Sequence, residues 1–216
     1  MNPSNSLASD AWSALSKNRA AWFSAIALTT MVLLVLLGPL VSPYEVDQTN
    51  WSKLAKPPSM QDGHIFGTDD LGRDLFVRTM YGGRISLMVG IVATLVSVLI
   101  GVSYGAISGF VGGKVDSIMM RIVDVLYAMP FLFFVILLMV FFGRSIFLIF
   151  VAIGAVNWLD IARIVRGQTL TIKGKEFVDA AKAGGVSTFR IIFRHIVPNL
   201  MGIVVVYVAL TVPQVI

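Results

Sequence analysis

The sequence contains no cysteine, only two histidines and few charged residues. Without cysteine the chain forms neither a disulfide-stabilised scaffold nor a Cys-ligated zinc or iron–sulfur site, and two histidines argue against a His-rich metal site. Charged residues make up 13% of the 216 residues, about half of the roughly 25% found in soluble domains. Because 56% of the residues are apolar, the composition excludes an ordinary soluble domain and indicates that lipid surrounds most side chains.

Five stretches without charged residues predict an all-α, polytopic membrane protein. A span needs about 20 residues to cross ~30 Å of hydrocarbon. The first stretch is too long for the apolar core of a signal peptide, so we interpret it as a retained span, with a cleaved signal as a minor alternative. The last stretch reaches Ile216 without a flanking charge, and we expect the chain to end inside an incomplete fifth span. We place the spans at residues 20–44, 85–109, 125–143, 145–159 and 196–216.

The net charge of +5 is compatible with nucleic-acid binding or with membrane topology, and the positions of the basic residues decide between them. Residues 160–195 carry seven basic and three acidic side chains, whereas residues 45–84 carry five basic and six acidic ones. Since basic residues concentrate in cytoplasmic loops, residues 160–195 are predicted inside and residues 45–84 outside. Alternation then places the N-terminal segment 1–19 in the cytoplasm. Arg144, on the outer turn between the third and fourth spans, is the one exception.

Small and polar residues recur in the second span. Gly101, Gly105 and Gly109 lie four residues apart on one helix stripe, a spacing that favours a tight helix–helix contact over a ligand role. Further polar side chains beside this stripe either line a path for a solute or bond to neighbouring helices, and the sequence leaves both open. They are Ser103, Tyr104 and Ser108.

The charged residues near the spans do not resemble a proton relay. Asp116, Arg121, Asp124 and Asp160 are all predicted near cytoplasmic ends of spans, which argues against an ion pump and against an intramembrane enzyme. Arg121 and Asp124 are three residues apart and are expected to pair on one helix face.

The predicted outer loop contains residues that are typical of the start of a helix. Thr68 or Asp69 is expected to cap a helix that leads into the second span, with apolar positions from Leu71 onwards at helical spacing. Asp69, Asp70 and Asp74 lack the alternation and terminal Glu of an EF-hand loop, so a cap and surface charge are favoured over calcium. No role is predicted for His64.

The most informative stretch lies between the fourth and fifth spans and predicts two short helices. Glu176 and Asp179 suit the first turn of a helix by its dipole, and Gly184-Gly185 supplies a left-handed stop. Ser187 or Thr188 then caps the second helix. An apolar face of small residues in a cytosolic loop requires a partner, either the protein's own spans or a docked subunit. This face comprises Phe177, Ala180 and Ala181.

The same stretch carries a recognisable motif. Asp179-Ala180-Ala181, three residues, Gly185, nine residues and His195-Ile196-Val197-Pro198 resemble the EAA loop of ABC importer permeases, Glu-Ala-Ala, three residues, Gly, nine, Ile-x-Leu-Pro. The spacing matches throughout, while Asp, His and Val replace Glu, Ile and Leu.

Three further motifs are similar to the dipeptide/oligopeptide branch of these permeases, most closely to the C subunits of oligopeptide permeases. The resemblance runs from about Asn18 to Ile216. The motifs are GTDDLGRD at 67–74, GRISL at 83–87 and NWLDIARIVRGQ at 157–168.

This resemblance implies the type I ABC importer permease fold, a six-span subunit of the bacterial inner membrane that pairs with a second permease subunit. Two cytoplasmic ATP-binding subunits bind below, a periplasmic solute-binding protein delivers peptide above, and the EAA helix docks on one ATPase. Residues 45–84 then form the periplasmic loop and 85–216 the permease core, with a coupling loop at 160–195. The coupling residues implied are Glu176, Asp179, Ala180, Ala181, Gly185 and Pro198.

No catalytic, cofactor-binding or metal site is predicted, and the chain is not expected to be an enzyme. Its nearest approach to a P-loop, at Gly112-Gly113-Lys114, has Ser108 in place of the first Gly and Val115 in place of Ser or Thr. The alternatives that remain are a dipeptide or nickel importer of the same branch and, from another class, an ATP-independent membrane carrier. Because members of the family continue through a completed fifth span and a sixth, the chain is expected to be truncated.

Overall fold

The computed structural model describes residues 15–143 and 145–216. These residues form helices joined by turns and contain no strand, only the isolated β-bridges Ser59–His64 and Thr68–Asp74. The prediction of an all-α protein is thereby confirmed. The predicted outer turn at Arg144 and most of the N-terminal segment, residues 1–14, lie outside the described residues.

Eight α-helices and one π-helical segment follow each other along the described chain. They are α1 (Arg19–Val41), α2 (Leu75–Val111), α3 (Gly113–Ala128), α4 (Phe131–Phe142), α5 (Ile146–Lys173), α6 (Glu176–Ala183), α7 (Thr188–Ile191), the π segment (Ile192–Ile196) and α8 (Val197–Val215).

Three helical stretches of the described residues are long and apolar enough to cross a membrane: α1, α2 and the continuous stretch Thr188–Val215. A fourth crossing results if α3 and α4, which are bent by 90° with respect to each other, are counted together. The predicted number of five spans is therefore approximate.

Two predicted span boundaries differ from the structure. The third predicted span is interrupted at Met129-Pro130, between α3 and α4, because proline lacks an amide proton and its ring clashes with the preceding turn of a helix. The fourth predicted span does not end at Leu159. Helix α5 continues to Lys173, so the first part of the predicted coupling loop is helical and continuous with the helix of the fourth predicted span.

Contacts divide the chain into two compact units, Met1–Ser86 and Leu87–Ile216. In the first unit α1 packs on the first turns of α2. A Cβ at Gly83 would lie 2.8 Å from Val35, and Arg84 donates hydrogen bonds to the carbonyl oxygens of Val35 and Leu36. The glycine therefore permits the close approach that brings the arginine to the carbonyls of α1.

The outer loop of this unit is organised by Asp74 rather than by the predicted caps. Helix α2 begins at Leu75, and the Asp74 carboxylate accepts a hydrogen bond from the amide of Val77 at 2.8 Å. The prediction that Thr68 or Asp69 caps this helix was wrong. The reason is that the Thr68 hydroxyl accepts from the Lys56 amide at 2.9 Å instead, which holds the loop together upstream of the helix.

Asp69 has a separate role within the loop. Its carboxylate accepts from the amides of Leu71 and Arg73, each at 2.9 Å, and from the Arg73 guanidinium at 2.8 Å. Partial removal from water raises the pKa of the Asp69 carboxyl, but these hydrogen bonds lower it more, so its pKa lies below the usual value.

His64, for which no role was predicted, is the buried centre of the loop. Its Nδ1 lies 2.8 Å from Asp74 Oδ2, and its ring stacks on Tyr44 with centroids 4.2 Å apart. The Tyr44 hydroxyl donates to the carbonyl oxygen of Asp62 at 2.6 Å. Asp74 therefore connects the start of α2 to a buried aromatic pair.

In the second unit the glycine stripe of α2 packs directly on α5, as predicted. A Cβ at Gly105 would overlap the carbonyl oxygen of Ala162, and Gly101 and Gly109 meet α5 one turn to either side. The Tyr104 hydroxyl donates to the carbonyl oxygen of Met119 on α3 at 2.9 Å, and Ser108 donates to Asp116. For Tyr104 and Ser108 the structure therefore supports the second of the two interpretations left open, bonds to a neighbouring helix.

Charged side chains join α3 to α5. Asp116 accepts two hydrogen bonds from the Arg166 guanidinium, each at 2.6 Å, and Asp124 accepts one from Arg163 at 2.8 Å. The expected pair of Arg121 with Asp124 is therefore wrong. The continuation of α5 past the predicted end of its span supplies a cation from the facing helix instead.

We predict that Asp74→Ala destabilises the outer loop. It removes a helix cap, worth about 1 kcal/mol, and the partner of a buried ring nitrogen, worth about 1–3 kcal/mol. The melting temperature of the purified protein should fall, and trypsin should cleave faster after Lys53. Asp70→Ala, which changes an exposed neighbouring acid, is the control. Equal effects of the two variants would contradict the role given to Asp74.

The close contact of α2 with α5 predicts that a glycine-to-alanine substitution affects stability differently at Gly105 and at Gly82. Gly105→Ala should lower the melting temperature, because overpacking a close contact costs about 1–3 kcal/mol. Gly82→Ala places its methyl group where nothing lies within 4 Å, so the gain in helix propensity of up to about 1 kcal/mol should leave stability unchanged or raised. A Gly105→Ala protein as stable as the Gly82→Ala protein would refute the tight contact.

Candidate coupling site

The site begins where α5 ends. Gly174 and Lys175 turn the chain, and α6 starts at Glu176 with Asp179 also in its first turn. Both carboxylates are exposed and lie at the positive end of the helix dipole, as predicted. Asp179 also pairs with Lys182 at 3.0 Å, an exposed contact within one helix turn that contributes little to stability.

Helix α6 is terminated by a left-handed glycine. The amide of Gly184 donates to the carbonyl oxygen of Ala180 at 2.9 Å, and that of Val186 donates to Ala181 at 3.1 Å. Gly185 has φ +74°, a conformation that side-chain-bearing residues other than Asn and Asp rarely adopt. The predicted left-handed stop is therefore at Gly185, whereas Gly184 has a negative φ of −75°.

Val178 fixes α6 against the transmembrane helices. Its side chain is fully buried in a cluster with Phe110 of α2, Val165 of α5 and Ile192 and Ile196 of the π segment, and Ala181 packs against the same cluster. Sequence reasoning missed Val178. The signal available was its spacing of three residues from Ala181, which places both on one helix face.

The rest of α6 faces outward. Glu176, Asp179, Ala180 and Gly185 are exposed, and Phe177 keeps 42% of its surface exposed. Of the face predicted to need a partner, only Ala181 therefore packs on the protein's own helices. Phe177 and Ala180, together with Gly184, remain as an open surface, which we call the α6 face.

The second predicted helix is not a separate element. It starts after Ser187, whose side chain makes no capping hydrogen bond, and it continues through the π segment into α8. Pro198 stands in the first turn of α8 and is exposed. Because proline cannot donate a backbone hydrogen bond, the wider π turn just before it accommodates the break in the pattern. Nearby, the Asn199 side chain donates to the His195 carbonyl oxygen at 2.6 Å.

Pro198 lies apart from the α6 residues in the site. It lines a surface groove together with aromatic and basic side chains of α7 and the π segment. In that groove the rings of Phe189 and Phe193 are 4.6 Å apart, and Arg190 and Arg194 form no ion pair within the described residues. The lining residues are Ser187, Phe189, Arg190, Phe193, Arg194 and Pro198.

The P-loop-like triplet Gly112-Gly113-Lys114 lies where α2 ends and α3 begins. Gly112 and Gly113 have φ +73° and +58° and make the sharp turn between α2 and α3. The described residues also contain no group of three or more His, Asp or Glu side chains placed to hold a metal ion.

Comparisons with known proteins agree with the motifs. Residues 101–216 match the family described as the binding-protein-dependent transport system inner membrane component, and residues 6–58 match the N-terminal TM domain of oligopeptide transport permease C.

Individual relatives are similar over nearly the whole chain. The oligopeptide transport system permease protein OppC of Escherichia coli (strain K12) is 58% identical over 98% of this chain and 70% of its own length. OppC of Haemophilus influenzae is 52% identical over 96% of this chain and 67% of its own length. The dipeptide transport system permease protein DppC of Bacillus subtilis (strain 168) is 48% identical over 98% of this chain and 65% of its own length. The chain therefore belongs to the family of inner membrane components of binding-protein-dependent transport systems, the permease subunits of ABC importers.

Proposed function

We propose that the chain is the transmembrane permease subunit of an ABC importer for oligopeptides and that α6 transmits the movements of a cytoplasmic ATPase to the membrane helices. The observation that supports this most is the combination of a rigidly seated helix with an open surface. Val178 is fully buried in the protein's own core, while the α6 face is exposed.

This combination suits mechanical coupling. A partner that binds the α6 face moves α6, and the buried Val178 transfers that displacement to α2, α5 and the π segment, which share its cluster. Because a close-packed core deforms little, these elements are expected to move together as a rigid body. The absence of a branched side chain at Ala180 and Gly184 lets a partner approach the helix backbone closely.

The partners follow from the family. ATP hydrolysis is assigned to two cytoplasmic ATP-binding subunits, one of which accepts α6, and the pore is completed by a second permease subunit. A periplasmic solute-binding protein delivers the substrate on the opposite side, where residues 45–84 lie. This arrangement places the N-terminus and residues 174–195 in the cytoplasm of a bacterium, in agreement with the excess of basic residues in the coupling loop.

The substrate class rests on the names of the relatives. The relatives at 58% and 52% identity are named as oligopeptide transport permeases, and the relative at 48% identity is named as a dipeptide transport permease. We therefore propose peptides as substrates, with oligopeptides favoured over dipeptides. ATP-dependent uptake of a labelled peptide series by the full-length subunit, reconstituted with its partners, tests this. Uptake that persists without any ATPase subunit would overturn the proposal.

Charge and bulk on the α6 face should disrupt docking. We predict that Ala180→Glu weakens association with the ATPase subunit about tenfold or more, that is by at least ~1.4 kcal/mol. Ala180→Ser, which keeps the residue small, should bind normally. Co-purification and ATP-dependent peptide uptake measure the effect. Lys182→Ala, which removes an exposed partner of Asp179, serves as a second control, and a loss equal to that of Ala180→Glu would contradict docking through this face.

We expect coupled transport to depend on the backbone conformation at residue 185 and not on the size of the side chain there. Gly185→Val should lose coupled transport, because a β-branched residue at φ +74° is strained by about 1–2 kcal/mol or more. Gly185→Asn should retain most of it, since Asn adopts the left-handed conformation more readily. A Cβ there meets nothing within 4 Å, so a steric clash inside the subunit does not account for the difference. Equal transport by both variants would refute the role of the turn.

A further inference from the structure

A polar groove between α5 and α8 has no role in coupling, and we propose that it is a binding position on the translocation pathway, where Asp160 receives the α-ammonium group of a peptide. This inference rests on the proposed peptide import. The groove has a volume of about 300 Å³ and is lined by Asn157, Asp160, Ile161, Ile164, Tyr207, Leu210, Thr211 and Gln214.

The lining residues form one continuous face on each helix. On α5, Asn157, Asp160 and Ile164 are spaced by three and four residues, and on α8 Tyr207, Thr211 and Gln214 are spaced by four and three. Residues at such spacings lie on the same side of a helix. The two polar faces are thus turned towards a shared groove.

The groove lies between the middle of α5 and the second half of α8. Asp160 was predicted near the end of a span, but α5 continues from it to Lys173. On the facing helix Tyr207 follows Val197, the first residue of α8, by ten residues, which corresponds to about 15 Å at ~1.5 Å per residue. That is about half of a ~30 Å hydrocarbon core.

Asp160 differs in its surroundings from the other membrane-proximal acids of the second unit. Asp116 and Asp124 each pair with an arginine of α5, whereas Asp160 is exposed to the groove and has no ion pair within the described residues. An ionisable side chain at membrane depth is costly, and such residues usually line an aqueous path or bind a charged partner.

An adjacent side of α8 provides a contrast. A second groove there, between α2 and α8, is lined almost wholly by aliphatic side chains such as Ile91, Leu95, Val208 and Val212. Helix α8 therefore presents an apolar surface suited to lipid or another helix on one side, and a polar surface on the other. This segregation is what a helix at the wall of a polar passage requires.

The chemistry of the groove fits the amino-terminal end of a peptide. A carboxylate is the natural partner of an ammonium group, and the amide side chains of Asn157 and Gln214 can both donate to and accept from a peptide backbone. The volume of about 300 Å³ is at the lower end of ligand pockets, so the groove holds one end of a peptide rather than its whole length.

Single cysteines test whether the groove is a peptide-occupied aqueous path. The chain has no native cysteine, so Gln214→Cys and Val212→Cys can be compared in the full-length subunit, within an importer whose other subunits lack reactive cysteines. A charged, membrane-impermeant methanethiosulfonate reagent should label Gln214→Cys at least tenfold faster, and saturating peptide should slow that labelling several-fold. Equal labelling of both positions, or labelling that peptide does not alter, would overturn the inference.

A second measurement tests the role of Asp160 itself. Asp160→Asn should reduce uptake of a peptide with a free amino terminus about tenfold or more, through a raised KM, and should leave uptake of the N-acetylated peptide at the wild-type level. Equal losses for both peptides would indicate a merely structural role and overturn the inference, as would wild-type uptake of both. A wild-type complex without any ATP-dependent peptide uptake would refute the proposed function instead.

Discussion

The close approach of α2 and α5 is the constraint on which the second unit depends. Gly101, Gly105 and Gly109 bring the backbone of α2 against that of α5, which no larger residue would permit. Lipid tails are as apolar as leucine side chains, so helices in a bilayer associate chiefly through such close packing and through polar contacts. The ion pair of Asp116 with Arg166 adds a polar contact at the same end of α5 and holds α3 in place as well.

The position of α6 follows from this contact. Phe110 follows the last glycine of the stripe on α2, and Val165 of α5 packs against Gly105 within the stripe. Val178 is buried in a cluster with both side chains. A coupling element that rested on a loop would lose displacement to local deformation. Helix α6 rests instead on a core shared by α2, α5 and the stretch that leads to α8, which is the arrangement that the proposed transmission of movement requires.

The sequence predicts those features that depend on neighbours in the chain. The glycine stripe and the left-handed Gly185 follow from spacing and from the conformational freedom of glycine, and the structure has both. Features that depend on partners distant in sequence were missed. His64 is ten residues from Asp74 and twenty from Tyr44, and nothing local indicates that a fold brings the three together. The ion pairs of Arg163 with Asp124 and of Arg166 with Asp116 were likewise missed, because the partners lie 39 and 50 residues apart in sequence.

The π segment determines how α8 is rotated about its own helix axis. One additional residue in a helical turn rotates every later side chain by about 100° around the helix axis, since an α-helix has ~3.6 residues per turn. The five residues Ile192–Ile196 therefore set the rotational phase of α8. With this phase Tyr207, Thr211 and Gln214 face α5, whereas a regular α-helical turn there would carry the polar side of α8 away from Asp160. The π segment thus also determines which side chains of α8 line the groove against α5.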